Sequence, residues 1–395
     1  MTTFPPSGSL KVLDNLIRPI TAEAFINEYW QRKMLLVKRN EPDFYADLLS
    51  VEDIDRLLST VSLPVAHVNL GKNAVGISTM EYSDGVHVRT ADVLRFHRAG
   101  NTIILRSMHL WLPKLRNLCE DMEETFLSDA QTNLYLTPAN TQSSYPHWDA
   151  HDILVIQIAG SKRWILHENA LELPLRTFEF DRARHPIGAA TGEIFLEAGD
   201  IAYIPRGLAH NPMATEYSVH IALGIKVNTW ADVMANICSQ LFMTETAFRD
   251  ALPIRVGGAG FDRAACESRF QDLESRLTPA RMRKALDQLE EVHAARRRPR
   301  TDGTLTSIAK QQELGLDTIV SLPDGARTEF RMDGENCEAL INGVRLRLGK
   351  HLVEPFEFLS RIGKVRVRDI PAQTDEQRLA LAVKLVDEGC LVVAA

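Results

Sequence analysis

The run Ser144-Tyr-Pro-His147-Trp-Asp149 is followed, 61 residues after Asp149, by the His210 that ends Gly199-Asp-Ile-Ala-Tyr-Ile-Pro205-Arg206-Gly207-Leu-Ala-His210. On a β-strand, residues two apart point to the same face, so His147 and Asp149 aim an imidazole and a carboxylate in one direction. Around this pair the sequence consists of short, closely spaced apolar or alternating runs: 133–137, 153–159, 163–166, 192–196, 201–204 and 218–225. Turn signals separate them at Pro138, Gly160-Ser161, Gly199-Asp200 and Pro205-Arg206-Gly207. Strands at this spacing, with no helix between them, predict a sandwich or barrel and argue against a parallel α/β sheet.

The flanks read differently. Before residue 131 the pattern is mixed, with helices predicted over Thr21–Trp30, from Ser50 as N-cap with Asp53 at the third position, and over His109–Thr125; Leu35-Leu36-Val37 reads as a short strand. Residues 229–300 are helical and amphipathic (Trp230–Ala247, Glu267–Leu277, Pro279–Arg298), ending in Arg296-Arg-Arg-Pro-Arg300, a favourable helix C-terminus and solvated linker. From 301 a small α+β unit follows. Its signals are Asn342-Gly343 between two alternating runs, a capping box from Thr374 to Gln377, and a terminal strand at Cys390-Leu-Val-Val. The expected division is 1–228, 229–300 and 301–395.

Composition narrows the function. The chain of 395 residues has 45 basic and 52 acidic residues, and residues 305–395 hold 12 Lys/Arg against 14 Asp/Glu. Neither balance suits a protein that grips nucleic-acid phosphates, so no direct DNA binding is expected. Five cysteines stand singly (Cys119, Cys238, Cys266, Cys337, Cys390), a pattern that fits neither a disulfide framework nor a cysteine zinc site. With no long apolar run and no signal-like N-terminus, a soluble, cytoplasmic protein without membrane contact is expected.

Two imidazoles and one carboxylate on one face of a metal leave coordination positions open, which is the ligand set of non-haem Fe(II) oxygenases. His147, Asp149 and His210 are therefore the candidate ligands. His220 is the rival: Ser218 and His220 share a strand face, but a strand histidine is more often packed than ligating. His151 lies four residues from His147, a spacing that matters on a helix and not on a strand, and His167 and His185 read as ordinary loop residues.

The segment from Gly199 to His210 resembles the second motif of cupin barrels, departing from it at Ala214, where the family carries an asparagine that is not a ligand. The longer run Thr132-Asn133-Leu-Tyr135-Leu-Thr137-Pro138-Ala-Asn140-Thr-Gln-Ser-Ser-Tyr-Pro-His147-Trp-Asp149, continued by Gln157-Ile-Ala-Gly160-Ser-Lys162-Arg-Trp164, resembles the jumonji-C oxygenases of the ribosomal-oxygenase type. The resemblance is specific over 130–228. It implies a double-stranded β-helix (jelly-roll, cupin) barrel, then a helical dimerisation region giving a homodimer, then a winged-helix-like domain. It also implies Fe(II), 2-oxoglutarate as cosubstrate and O2. Lys162 would pair with the distal carboxylate of 2-oxoglutarate, for which a buried cation is chemically required, with Arg163 the nearest alternative. Asn133, Tyr135 and Ser218 would help to hold the cosubstrate.

The implied activity is hydroxylation of a protein side chain, typically of a ribosomal protein, with demethylation of methyl-lysine the lesser option at the same centre. Two other readings remain at this stage: an oxygenase acting on a small peptide or natural product, and a non-catalytic cupin-like binding module. A module would show a broken ligand set or no cation, and here both are intact.

Overall fold

The computed structural model describes all residues except 1–6, 74, 143, 169–170, 253–261, 297–300, 302, 311–312, 324–325, 327, 334–335, 342–343, 350–351 and 395. It divides into two compact units, Met1–His293 and Ala294–Ala395.

The first unit opens with α1 (Ser7–Ile17) and the single turn α2 (Ala22–Ala24), where the Thr21 hydroxyl accepts from Ala24 N at 3.1 Å. The helix expected over Thr21–Trp30 begins as predicted but widens into a π-helix over Phe25–Tyr29. Strand β1 (Leu35–Val37) follows, then α3 (Val51–Thr60) with the complete Ser50/Asp53 capping box. Next come β2 (Val68–Lys72), β3 (Val75–Gly76), α4 (Thr90–Arg98), β4 (Thr102–Leu105) and α5 (Pro113–Phe126). The barrel strands are β5 (Asp129–Thr137), β6 (Thr141–Gln142), β7 (Asp152–His167), β8 (Ala190–Glu197), β9 (Ile201–Ile204) and β10 (His210–Lys226). Their hydrogen-bonded order is β1-β9-β7-β10-β5-β4-β2-β3, with β8 on β7 and β6 on β10.

The double-stranded character comes from two long strands that turn a corner. The sequence places a turn at Gly160-Ser161 between two strands; instead β7 runs through it unbroken. Before Gly160 it pairs with β9, and after it with β8. Strand β10 does the same, pairing first with β6 and later with β5, and the β7–β10 register slips between Ala214 and Ser218. Gly160 makes this bulge possible: its φ is +60°, and a Cβ there would sit 1.6 Å from the Tyr217 carbonyl oxygen. A bulge with a left-handed glycine bends a strand without ending it. The two limbs then face each other, and their inward residues form a core of Ile153, Val155, Trp164, Leu166, Ile194, Leu196, Ala202 and Ile204. A larger apolar core lies between the other sheet face and the N-terminal helices.

Helices α6 (Trp230–Thr244), α7 (Arg263–Arg276) and α8 (Pro279–Arg296) follow the barrel, with Thr229 and Asp232 forming a capping box on α6. Part of their apolar stripe is used locally: Ile237, Leu241 and Ala285 are buried, with Val233, Phe248, Leu273 and Met282 packed on them. Others are exposed, Trp230 at 68% and Phe270 at 66%. The basic run after Arg296 lies outside the described residues.

The second unit contains α9 (Thr304–Lys310), β11 (Ile319–Ser321), β12 (Thr328–Asp333), β13 (Asn336–Ile341), β14 (Val344–Gly349), α10 (Val353–Ile362), β15 (Lys364–Arg366), α11 (Asp375–Asp387) and β16 (Val392–Val393). It forms two three-stranded antiparallel sheets, β15-β11-β16 and β12-β13-β14. Ile341 pairs with Val344, the register of a two-residue hairpin, although Asn342-Gly343 itself lies outside the described residues. Thr374 and Gln377 form the expected capping box, and Cys390 is buried just before the terminal strand. Among the described residues no helix is long and apolar enough to cross a membrane.

Candidate active site

His147, Asp149 and His210 come together where β10 begins and just ahead of β7. Two features of the sequence do this. The Pro205-Arg206-Gly207 turn, with Gly207 at φ +85°, donates its Gly207 N–H to the Asp149 carbonyl at 3.0 Å. His147 and His210 then exchange both backbone hydrogen bonds, at 3.1 and 2.8 Å. Beneath the turn, Arg206 Nη1 donates to Asp152 Oδ2 at 3.0 Å and Tyr203 OH donates to Asp152 Oδ1 at 2.5 Å, all buried. Burial pushes the Asp152 carboxyl up, against the pull of Tyr203 and Arg206. This network fixes the start of β7 to the turn that delivers His210.

One donor atom from each of the three residues lies within 4.8 Å of the others. Asp149 Oδ2 is 3.8 Å from His147 Nε2 and 3.4 Å from His210 Nε2. Both rings have a fixed tautomer. His147 Nδ1 lies 2.8 Å from the Tyr145 carbonyl and His210 Nδ1 lies 3.0 Å from the Leu208 carbonyl. A carbonyl only accepts, so each Nδ1 carries the proton and each Nε2 turns a lone pair toward Asp149, the arrangement of a metal-binding imidazole. Burial, reinforced by His147, lowers His210 to about 4, so it is neutral at ordinary pH. Burial raises Asp149, but the neighbouring His147, His151 and His210 outweigh it and hold its carboxyl below the usual range. The donor set fits a divalent transition metal.

Lys162 lies on the far limb, near the corner, and is fully buried. Among the described residues its ammonium has one hydrogen bond, to Thr137 Oγ1 at 3.0 Å, with the Tyr135 ring 5.8 Å away. Burial lowers it to about 7. Arg163 points elsewhere, donating to Glu193 on β8. Strand alternation puts Asn133, Tyr135 and Thr137 on one face, opposite Ala222, His220 and Ser218. The Tyr135 ring stacks on His220 at 4.8 Å, Asn133 Oδ1 accepts from Ser107 N at 3.0 Å, and Ser218 Oγ accepts from Gln157 Nε2 at 2.8 Å. His220 is therefore packed between Tyr135 and the Trp164 ring, 5.6 Å away, and is not part of the metal-ligand cluster. Burial and the nearby Lys162 hold it well below its ordinary pKa. Gln157 Oε1, Trp164 Nε1 and His220 Nδ1 are buried without a partner among the described residues, which is the complement of a polar ligand in this interior.

Several contacts were not legible in the sequence. Thr137 is the hydroxyl partner of Lys162. Trp148, between the two candidate ligands, points away from them and is buried against Phe180 and His185, while Phe180 also reaches the His147 ring at 6.4 Å. His185 is a loop residue as expected, its Nδ1 accepting from Asp181 N at 3.1 Å, whereas His167 is the last residue of β7. The Phe-x-x-x-x-His spacing from Phe180 to His185 carries no signal on its own.

A profile of the JmjC domain matches residues 108–233, a span that holds every residue of the cluster. Among relatives, the bifunctional lysine-specific demethylase and histidyl-hydroxylase NO66 of Drosophila mojavensis is 30% identical over 62% of this chain and 29% of its own length. Ribosomal oxygenase 2 of Mus musculus is 25% identical over 96% of this chain and 91% of its own. The chain thus spans about a third of the NO66 relatives and most of the mouse protein. The fold matches that of YcfD, a ribosomal oxygenase from Escherichia coli solved with cobalt and 2-oxoglutarate, with a TM-score of 0.53 and 16% identity over 95% of this chain and 99% of that one. The chain carries a JmjC domain over residues 108–233 and is similar along most of its length to ribosomal oxygenase 2.

Proposed function

We propose that the protein is an Fe(II)- and 2-oxoglutarate-dependent oxygenase that hydroxylates a protein side chain, with a ribosomal protein as its target. The observation that carries this is Lys162: an ammonium buried with only a hydroxyl for hydrogen-bond partner among the described residues, in the same interior as a two-histidine, one-carboxylate cluster. A buried cation without a counter-ion is costly, and a dicarboxylate anchored at the cluster supplies one.

His147, Asp149 and His210 would hold the iron, which when bound with 2-oxoglutarate and O2 supplies the oxidising power for a C–H bond. Lys162 and Thr137 receive the distal carboxylate. Asn133, Tyr135 and Ser218 border the same space and orient the cosubstrate by hydrogen bonding, while the apolar wall from Val155 to Leu196 keeps water out. The matching fold of YcfD, solved with cobalt and 2-oxoglutarate, supports this use of the interior. The name of the mouse relative supports a ribosomal target. The direct test supplies the protein with Fe(II), 2-oxoglutarate and ribosomes from its own organism and reads intact masses. One ribosomal protein gaining the mass of one oxygen atom is expected; loss of a methylene from a methylated protein would indicate demethylation instead.

The reading places the protein in the cytoplasm, where ribosomes are, as a homodimer through residues 229–300, with 301–395 a separate winged-helix-like domain. The exposed Trp230 and Phe270 support the dimer, since isolated large apolar side chains on helices are buried most readily on a second copy. Light scattering should give twice the 44.3 kDa chain mass, and Trp230→Glu combined with Phe270→Glu should return it to 44.3 kDa. The chain mass at every concentration of the unaltered protein would reject the dimer.

A further inference from the structure

Gly224 stands in the middle of β10, paired with Gln131 of β5 on one side and Ile153 of β7 on the other. Its φ lies outside the left-handed region, so the backbone does not call for glycine, and glycine inside a central strand weakens it. What its missing side chain provides is room. A Cβ at Gly224 would lie 2.6 Å from Cδ2 and 2.8 Å from Nε2 of His151, with Gln131 Cγ next at 3.7 Å. The strand thus gives up a side chain to seat the His151 imidazole on the inward face, the face that carries His220 and Ser218 four and six residues back.

His151 follows Asp149 by two residues and lies near enough to Asp149 and His210 to act on both electrostatically. It is half-buried, and no group among the described residues hydrogen-bonds to its ring. Every other histidine of this interior is tied: His147 and His210 to backbone carbonyls, His220 by stacking on Tyr135. An imidazole held in place by a cradle, half-buried, with both its donor and its acceptor unused and with Asp149 and His210 as its electrostatic neighbours, is placed to meet a group brought to the cluster.

We propose that His151, seated over Gly224 beside Gln131, is a substrate-binding residue that hydrogen-bonds the target side chain presented to the metal. It rests on the hydroxylase reading above. The side chain it suits carries a polar group that can hydrogen-bond an imidazole.

The test measures initial rates of oxygen incorporation, by mass, against the concentration of total ribosomal protein. It uses wild type, His151→Ala, Gly224→Ala and the double variant, with melting temperatures recorded for each. Loss of the ring should raise KM about tenfold, the scale of one hydrogen bond left unmade, with a smaller change in kcat. Gly224→Ala keeps the ring but pushes it off its seat, so KM should rise in that variant too. In the double variant the added methyl should bring no further change, because the ring it displaces is gone. If His151 only fills space, the double variant, whose methyl occupies the vacated volume, would regain both KM and melting temperature; that result, or an unchanged KM in His151→Ala, overturns the proposal. If the wild type modifies no ribosomal protein, the reading of the target fails first and this inference with it.

Discussion

Replacing His147, Asp149 or His210 by alanine is expected to abolish 2-oxoglutarate turnover and to empty the protein of metal while the barrel stays folded. Removing a group that merely orients a ligand costs about 10–100-fold in metal affinity, so removing a ligand itself should cost at least the upper end of that range. A three-residue set has no spare protein donor to compensate. The three positions should not be equal in their effect on stability. His210 is buried and joined to His147 through the paired backbone, whereas the His147 and Asp149 side chains are 27% and 26% exposed. His210→Ala should therefore lower the melting temperature more than the other two. His220→Ala is the control: it should retain metal, because its ring is stacked on Tyr135 and lies outside the cluster. Metal content after dialysis and succinate formation decide the matter, and succinate formed at the wild-type rate by His147→Ala or Asp149→Ala would end the assignment.

The second large effect should come from Lys162→Met, and its two consequences should run in opposite directions. Affinity for 2-oxoglutarate should fall by a factor of at least ~100, because deleting one partner of a buried charge pair costs about 3 kcal/mol or more. The ligand-free protein, by contrast, should become more stable, since a thioether in that space carries no buried charge. The pH dependence follows from burial. The folded-state value of about 7 lies below the ordinary 10.5, so between those values the unfolded chain holds the extra proton. Ligand-free stability from this group therefore rises with pH across that window. Binding a dicarboxylate restores the proton, so 2-oxoglutarate affinity should weaken about tenfold per pH unit above 7, with proton uptake measurable by calorimetry in two buffers. Lys162→Met should lose both slopes. Equal affinities in variant and wild type would move the cation to another residue.

The strands and the ligand cluster were legible because alternation, glycine–proline turns and the His-x-Asp spacing are local signals with one structural meaning. Gly160 was misread for the reverse reason. A left-handed glycine marks a turn and a bulge equally, and only the pairing of β7 with partners on both sides of it distinguishes them. The π-helix at Phe25–Tyr29 escaped because its apolar spacing differs little from that of an α-helix. Contacts such as Lys162 with Thr137, His151 with Gly224, and Trp148 with Phe180 and His185 join residues 25 or more apart in sequence. Nothing short-range encodes them. His151 was set aside on spacing alone, since its relation to the site runs through a glycine 73 residues away.

Strands β7 and β10 each run unbroken from the corner to the end that carries His210. Four residues of β7 separate Lys162 from Leu166, which pairs with His210, a rise of roughly 13 Å set by the pleat itself. The two ends proposed to grip the cosubstrate are thus marks on one ruler, with no break in the strand between them. A dicarboxylate one methylene shorter or longer than 2-oxoglutarate meets a frame that does not stretch to it. The segment around Phe180 and His185, by contrast, belongs to a connection between strands. That connection can change without moving the marks on the ruler, so on the proposed reading the choice of cosubstrate stays with the sheet.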